Sequence, residues 1–420
     1  MQRGENIMRM KHVITTVIVI LTVSLFISSG ALASDTIKIG IPVPLTGPYA
    51  SVGDTADKAL KLAIEEYNAN GGLLGKKLEG IVMDTQDGRP EVVKAVFERL
   101  VDEKVDVLIT SYCALSPIDV QTMANYNVPY FSGIAYHVIA DAIQKGMPQT
   151  RNIFHVSWTE MAYANSHREV LPTIPSKMGW RPPNKKMAVI RVEFPYCTAP
   201  SDKVIKEAGE DGYDVVIDEF TQFGKIDWTD IMTKLDRERP AYISLWLLLP
   251  TDSASFQKAF VQRFGQKGYD GIIIYQYTPS TPEFMALAKK AANGVIWMGG
   301  SMKIKEPAVA DYLNRWKEKF GAIPTDNYAT HVRQIFDMWA EAVKNKGCSD
   351  CYDSVINYVL QHPNKGLHST FVFNPINNTT LYGEGFYPVE WSQIRDENHI
   401  HVYPENKYKE GDFRKPPWMK

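Results

Sequence analysis

The chain alternates short apolar runs with amphipathic helical segments, and this alternation occurs in two successive blocks. In the first block, Ile37, Ile39 and Ile41 show the spacing of a strand, and apolar residues from Ala56 to Tyr67 then recur at helical spacing. Further strands are expected at 78–83, 105–109 and 129–132, with helices at 90–102 and 116–127. Such alternation is typical of a parallel sheet covered by helices on both faces.

The second block follows a loop rich in Pro and Lys at 172–186 and repeats the pattern. Strands are expected at 187–192, 214–220, 241–248, 271–275 and 294–298, and helices at 199–212, 229–237, 253–265 and 282–292. Beyond residue 300 we expect helices at 307–320, 328–345 and 349–361, then strands at 371–374 and 387–391. The prediction is an α/β fold of two doubly wound parallel-sheet lobes, because the chain is too long for one hydrophobic core.

The N-terminus has the features of a secretory signal peptide. Arg3, Arg9 and Lys11 precede an apolar run of about 15 residues, and a sequence of the A-x-A type ends at Ala33. The apolar run is shorter than the roughly 20 residues that a membrane-spanning helix needs. We therefore expect cleavage after Ala33, removal of residues 1–33, and a periplasmic protein.

The mixed charge balance and the lack of common catalytic motifs argue against nucleic-acid binding and against catalysis. Cleavage removes three basic residues and one acidic residue, which changes the formal net charge from −2 to −4. This mixed balance lacks the basic surface of a nucleic-acid-binding protein. The sequence contains no G-x-S-x-G, no H-E-x-x-H, no phosphate-binding loop and no G-x-G-x-x-G after its first strand. We expect a binding protein without a cofactor or metal, not an enzyme.

Cysteine and histidine offer two weaker signals. Cys348 and Cys351 are expected to form either a structural bridge or two free thiols, in preference to a redox site. His399 and His401 are the one close histidine pair, and we interpret them as solvated tail residues, since the other ligands of a metal site are absent from the sequence around them.

Candidate binding loops follow the expected strands at their carboxyl ends, where open α/β sheets bind ligands. In the first block these loops are 44–49, 111–117 and 133–137, and in the second they are 193–197, 247–250 and 275–278. Ser116 before Pro117 reads as an N-cap, so free backbone N–H groups at that helix start could hold a carboxylate or another oxygen. Aromatic and apolar walls with few polar groups are typical of a small-molecule site.

The opening residues resemble a known family. Four segments resemble the start of branched-chain amino-acid-binding (type I) periplasmic binding proteins. They are the strand Ile37-Lys38-Ile39-Gly40, the loop Pro44-Leu45-Thr46-Gly47-Pro48, the pair Gly53-Asp54, and the turn from Asn68 through Gly71-Gly72-Leu73-Leu74-Gly75 to Leu78. The resemblance extends more weakly over the mature chain. It implies two lobes joined by a hinge of three crossovers, with residues 35–156 and 300–368 in lobe 1 and residues 157–299 and 369–420 in lobe 2. It also implies a monomeric receptor that closes on a small molecule and is recognised by the inner-membrane permease of an ABC importer.

The resemblance assigns roles to particular positions. The family's carboxylate-binding loop falls on Cys113, Ala114 and Ser116, and the next strand-end loop falls on Ala135 and Tyr136. The lobe 2 contacts fall on Tyr196 and Leu248, and the acidic partner of the ligand's ammonium falls on Tyr277, beside Gln276.

These positions favour a ligand other than leucine, isoleucine or valine. Tyr277 and Gln276 can form hydrogen bonds but cannot neutralise an ammonium group, and an unpaired buried charge costs several kcal/mol. Six aromatic residues are expected to line the cleft: Tyr49, Tyr136, Tyr196, Trp246, Tyr277 and Tyr328. We expect an aromatic or short aliphatic carboxylate, or a neutral amide, with its oxygen group near Ser116 and His137.

Two alternatives remain open. The chain could be the ligand-sensing subunit of a separate membrane signalling partner, or a hydrolase with Cys113 as nucleophile and His137 as base. Cys113 and Cys197 are expected to face each other from opposite lobes as reduced thiols, because a bridge between them would lock the cleft shut.

Overall fold

The computed structural model describes residues 36–224, 226–300, 305–324, 326–406 and 408–419. The expected signal peptide, residues 1–33, lies outside them. The strands of the two large sheets and of a small hairpin are β1 (Ile37–Val43), β2 (Leu78–Asp84), β3 (Val107–Thr110), β4 (Tyr130–Ser132), β5 (Ile153–His155), β6 (Lys186–Val192), β7 (Asp214–Thr221), β8 (Tyr242–Trp246), β9 (Ile272–Tyr275), β10 (Ile296–Gly299), β11 (Asn364–Lys365), β12 (Thr370–Phe371), β13 (Phe373–Asn374), β14 (Thr379–Thr380), β15 (Glu390–Arg395) and β16 (Asn398–Tyr403).

Helices connect most of the parallel strands. They are α1 (Ala50–Ala69), α2 (Pro90–Asp102), α3 (Ile118–Met123), α4 (His137–Gly146), α5 (Met161–Val170), α6 (Ile174–Met178), α7 (Pro195–Glu210), α8 (Thr229–Glu238), α9 (Pro250–Phe264), α10 (Pro282–Ala288), α11 (Pro307–Phe320), α12 (Tyr328–Lys346) and α13 (Tyr352–Gln361). Short 3₁₀ turns occupy Leu171–Thr173, Thr278–Ser280 and Lys289–Ala292.

Two seven-stranded sheets confirm the predicted fold class. The first has the order β13-β14-β5-β4-β3-β1-β2 and the second has the order β16-β15-β10-β9-β8-β6-β7. Six neighbouring strands of the first sheet and five of the second are parallel, and antiparallel strands occur at one edge of each sheet. Central strands such as β3 and β8 are buried at every residue, as expected when helices cover both faces.

The chain crosses between the sheets three times. It leaves the first sheet after His155, returns after Gly299, and crosses again between Thr380 and Glu390. The predicted lobe boundary at residue 369 is therefore wrong for the segment that contains β12 to β14. Thr379 pairs with His155 in the first sheet, and the Phe373 ring packs 5.1 Å from that of Phe154, which places this segment in lobe 1.

The cysteines divide into one bridge and two thiols. Cys348 and Cys351 form a disulfide in the turn between α12 and α13, one of the two states left open by the sequence. Cys113 and Cys197 are free, as expected, but both are buried. Cys113 Sγ packs against Asp119 and Tyr130 in lobe 1 and Cys197 Sγ lies near Gln276 in lobe 2, so the expectation that they face each other across the cleft is wrong.

The interpretation of His399 and His401 as solvated is wrong. His401 is buried, and His399 accepts a hydrogen bond from Trp297 Nε1 at 3.1 Å. Both histidines belong to β16, which is the edge strand of the second sheet, and burial lowers the pKa of His399 to about 4.

No helix in the described part of the chain is both long and apolar enough to span a membrane.

Candidate functional site

A cavity lies between the lobes at the carboxyl ends of their strands. The space among its side chains is about 820 Å³, part of it open to solvent. Eight tyrosines line it: Tyr49, Tyr112, Tyr136, Tyr163, Tyr196, Tyr277, Tyr328 and Tyr387. The location is the one at which open α/β sheets bind ligands, and the mostly aromatic lining suits a small organic molecule.

Lobe 1 positions its tyrosines through short, well-bonded loops. Tyr49 directly precedes α1, and its carbonyl oxygen accepts the N–H groups of Val52 and Gly53 at 3.1 and 3.2 Å. Tyr112 follows β3, and its carbonyl oxygen lies 3.0 Å from the hydroxyl of Thr110, which it shares with the carbonyl oxygen of Pro42 at 2.5 Å. The two rings lie 4.8 Å apart, so both backbone anchors support one aromatic pair.

Lobe 2 supplies the opposite wall. Tyr196 lies in the first turn of α7, 5.7 Å from the ring of Tyr136 in lobe 1 and 6.0 Å from that of Tyr277. The Tyr277 hydroxyl donates to the carbonyl oxygen of Leu248 at 2.6 Å, which couples the loops after β8 and β9. Aromatic contact across the cleft is therefore direct.

Seven of the thirteen residues predicted for the site line the cavity. They are Tyr49, Ala135, Tyr136, Tyr196, Leu248, Tyr277 and Tyr328. The other six lie outside the lining: Cys113, Ala114, Ser116, His137, Trp246 and Gln276.

The predicted helix start at Ser116 is wrong. The helix α3 has six residues and begins at Ile118, with Pro117 in the capping position and no side-chain cap. The Ser116 hydroxyl is buried without a hydrogen-bond partner among the described residues. A helix this short offers no anion site of the expected kind, because its dipole is small.

The remaining off-cavity residues pack into the lobes. Cys113 Sγ contacts Asp119 and Tyr130 in the core of lobe 1, and Ala114 is buried beside it. Trp246 is buried in lobe 2, where its Nε1 donates to Ser244 at 2.9 Å. Gln276 is buried with its Oε1 near Cys197 Sγ at 3.9 Å. Burial raises the pKa of Cys113, so this thiol is a poor nucleophile.

His137 is paired with the crossover rather than directed into the cavity. Its backbone N–H donates to Glu160 Oε2 at 2.6 Å, and its Nδ1 contacts Glu160 Oε1. Glu160 is fully buried on the segment that leaves lobe 1, and the hydrogen bond to this carboxyl raises the pKa of His137. The pair ties the start of α4 to the first crossover.

Several lining residues were absent from the prediction because they lie on the crossovers or within a helix, not at the ends of strands. Ser157 and Trp158 lie on the first crossover, Tyr387 lies on the third, and Tyr163 belongs to α5. A search for residues at the carboxyl ends of strands does not find residues on the crossovers. Tyr112, in contrast, lies in a loop that the sequence did single out.

Charge is sparse around the cavity. Among the described lining residues there is no Asp, Glu, Lys or Arg, and burial lowers the pKa of His331 to about 4, which keeps it neutral. Nearby carboxylates are engaged elsewhere: Glu160 with His137, Asp252 with the Gly224 N–H at 3.1 Å, and Asp326 with Thr55 at 2.9 Å.

Two α/β lobes that meet over a mostly aromatic cavity define a bilobal binding protein. The sequence profile of the periplasmic binding protein family matches residues 36–361. The chain belongs to this family, which confirms the resemblance drawn from its opening strand and turns.

The names of curated proteins with similar sequences agree with this family. The chain is 26% identical to Leu/Ile/Val-binding protein homolog 7 of Brucella abortus (strain 2308) over 335 residues, covering 76% of this chain and 78% of the relative. A shorter match, 36% identical over 89 residues, is to the leucine-, isoleucine-, valine-, threonine-, and alanine-binding protein of Pseudomonas aeruginosa; it covers 21% of this chain and 24% of that one.

Solved structures share the fold. A candidate branched-chain amino acid ABC transporter protein from Silicibacter pomeroyi superposes with a TM-score of 0.82 at 24% identity, covering 92% of this chain and all of that one. The substrate-binding protein LivJ of Streptococcus pneumoniae, solved with isoleucine, superposes with a TM-score of 0.68 at 21% identity, covering 88% of this chain and all of that one.

Proposed function

We propose that this chain is the periplasmic solute receptor of an ABC importer, and that its solute is an aromatic or short aliphatic carboxylate or amide. Family membership and the names of the relatives support the receptor role. Closure of the two lobes over the solute would create the form that a membrane permease recognises.

The single observation that carries the ligand class is the uncharged aromatic lining. An α-amino acid brings an ammonium group, and its burial without a partner costs several kcal/mol. Tyr277 holds the position where the family resemblance expects an acidic partner, and its hydroxyl already donates to Leu248. Flat apolar bodies pack well against tyrosine rings, which supports an aromatic acid or amide over leucine.

A thermal-shift screen tests this assignment. We expect benzoate or benzamide to raise the unfolding temperature of the mature protein, since a ligand at 100 times its Kd stabilises a fold by about 2.7 kcal/mol. Leucine, isoleucine and valine should have little effect. The control is Ala135→Phe, which places a ring in the cavity and should abolish the shift. A shift with the branched-chain amino acids alone would overturn the proposed ligand class.

A further inference from the structure

Two buried hydroxyls in the cavity lack hydrogen-bond partners. Tyr49 is 7% exposed and Tyr112 is 8% exposed, and both line the cavity from lobe 1. Neither phenol oxygen has a partner among the described residues. Buried polar groups in native proteins are nearly always bonded, so two exceptions on adjacent rings that line a binding cavity call for an explanation.

Four other tyrosine hydroxyls of the cavity already have partners in the protein. Tyr277 donates to Leu248, Tyr163 is bonded to Tyr196, and Tyr387 is bonded to Ser157. The pair of Tyr49 and Tyr112 differs from these four. Because the rings of Tyr49 and Tyr112 lie 4.8 Å apart and both backbones are held by hydrogen bonds, the pair is arranged before any ligand arrives.

We infer that Tyr49 and Tyr112 are the polar anchor of the site, and that they donate hydrogen bonds to an acceptor oxygen of the solute, in a carboxylate or an amide carbonyl. The inference rests on the proposed function, since it assigns the orientation of the same solute. It places the oxygen group of the solute at the paired phenols, whereas the sequence predicted that this group would lie near Ser116.

Two protonated phenols would bind a hydrogen-bond acceptor of the solute. Burial raises the pKa of both phenols, so both stay protonated at neutral pH and can act as donors. A solute held by its oxygen on lobe 1 would present its apolar body to Tyr196, Leu248 and Tyr277 of lobe 2. Lobe 1 would thus bind first, and lobe 2 would close over the body.

The test compares Tyr49→Phe and Tyr112→Phe with the wild-type protein by calorimetry, using benzoate, benzamide and benzylamine as probes. Each variant should weaken benzoate binding roughly tenfold to a hundredfold and benzamide binding about twofold to tenfold, because hydrogen bonds to charged acceptors are stronger. Benzylamine carries only donors at neutral pH and should not bind. Tighter binding of benzylamine than of benzoate would overturn the anchor.

A matched variant separates a ligand role from a structural one. Tyr275 is fully buried outside the cavity lining, and its hydroxyl donates to Gln257 at 2.9 Å. Tyr275→Phe should lower the unfolding temperature of the ligand-free protein by a few degrees and leave benzoate affinity unchanged. Tyr49→Phe and Tyr112→Phe should show the reverse pattern, with ligand-free stability unchanged or increased.

The outcomes distinguish the two proposals. Wild-type protein that binds neither benzoate nor benzamide contradicts the proposed ligand class. Wild-type binding that both variants retain at full strength contradicts the anchor alone, as does a loss of ligand-free stability equal to that of Tyr275→Phe.

Discussion

Gly53→Ala should destabilise the protein by about 3 kcal/mol, the upper end of the usual range, since overpacking between rigid segments is costly. A Cβ at residue 53 would lie 1.7 Å from the carbonyl oxygen of Pro44. Gly53 lies near the start of α1 and Pro44 directly follows β1, so relief requires movement of backbone on one side. Urea unfolding of the variant and the wild-type protein measures the loss.

The same substitution should also impair the site. Tyr49 lies between Pro44 and Gly53, and its carbonyl oxygen accepts the Gly53 N–H. The control is Gly209→Ala near the end of α7, where a Cβ meets no atom within 4 Å and alanine favours the helix by roughly 0.5–1 kcal/mol. If Gly53→Ala were as stable as Gly209→Ala, the close approach of α1 to the strand end would be refuted.

Asp326→Asn should stabilise the protein at neutral pH. Asp326 is 1% exposed, accepts hydrogen bonds from Thr55 Oγ1 at 2.9 Å and the Tyr328 N–H at 3.0 Å, and has its pKa raised by burial to about 7. An aspartate in the unfolded chain ionises near pH 3.9. Its contribution to stability is therefore fully present below about pH 4 and is lost as the pH rises through about 7.

Asparagine never ionises, its Oδ1 can accept the Tyr328 N–H, and its Nδ2 can donate to Thr55 Oγ1 in place of the bond that Asp326 accepts. The difference in unfolding free energy between Asp326→Asn and wild type should be small near pH 4 and should grow to at most about 4 kcal/mol above pH 7. Denaturant titrations from pH 4.5 to 8.5 record this curve.

Asp227 serves as the control for Asp326→Asn, because its pKa is shifted in the opposite direction. Asp227 accepts the Thr229 N–H at 2.9 Å, and hydrogen bonding to Thr229 lowers its pKa. Its stabilisation is present above the unfolded pKa and is lost as the pH falls. Asp227→Asn should therefore be destabilising at neutral pH. A pH-independent difference for Asp326→Asn would show that this carboxyl is not held in its neutral form by burial.

Periodicity predicted the elements of this fold better than it predicted their assembly. The helix expected at 307–320 is observed over those residues, and the strand ends of both blocks do converge on one cavity. The three-residue strand β5 was not predicted, although the equally short β4 was, because so few residues leave a strand and a loop hard to distinguish by pattern. The segment 370–380 was assigned to the wrong lobe for a related reason: local pattern does not encode which sheet a short strand joins.

The site residues likewise divide into those that local sequence pattern predicted and those that only the folded structure identifies. Tyr49, Tyr196 and Tyr277 were found because they follow strands, where the chain direction alone brings them to the cleft. Ser116 was misjudged because a capping motif in the sequence does not ensure a helix long enough to use it. Which tyrosine hydroxyls have partners depends on neighbours distant in sequence, as with Tyr277 and Leu248, and only the three-dimensional structure reveals it.

The central claim is that this cavity takes a solute without an ammonium group. Calorimetry with leucine and with 4-methylpentanoate tests it most directly, because the two molecules differ only in that group. We expect 4-methylpentanoate to bind at least about tenfold more tightly, since an unpaired buried ammonium costs several kcal/mol. Tighter binding of leucine would contradict the proposed ligand class and would require a carboxylate within reach of the ligand.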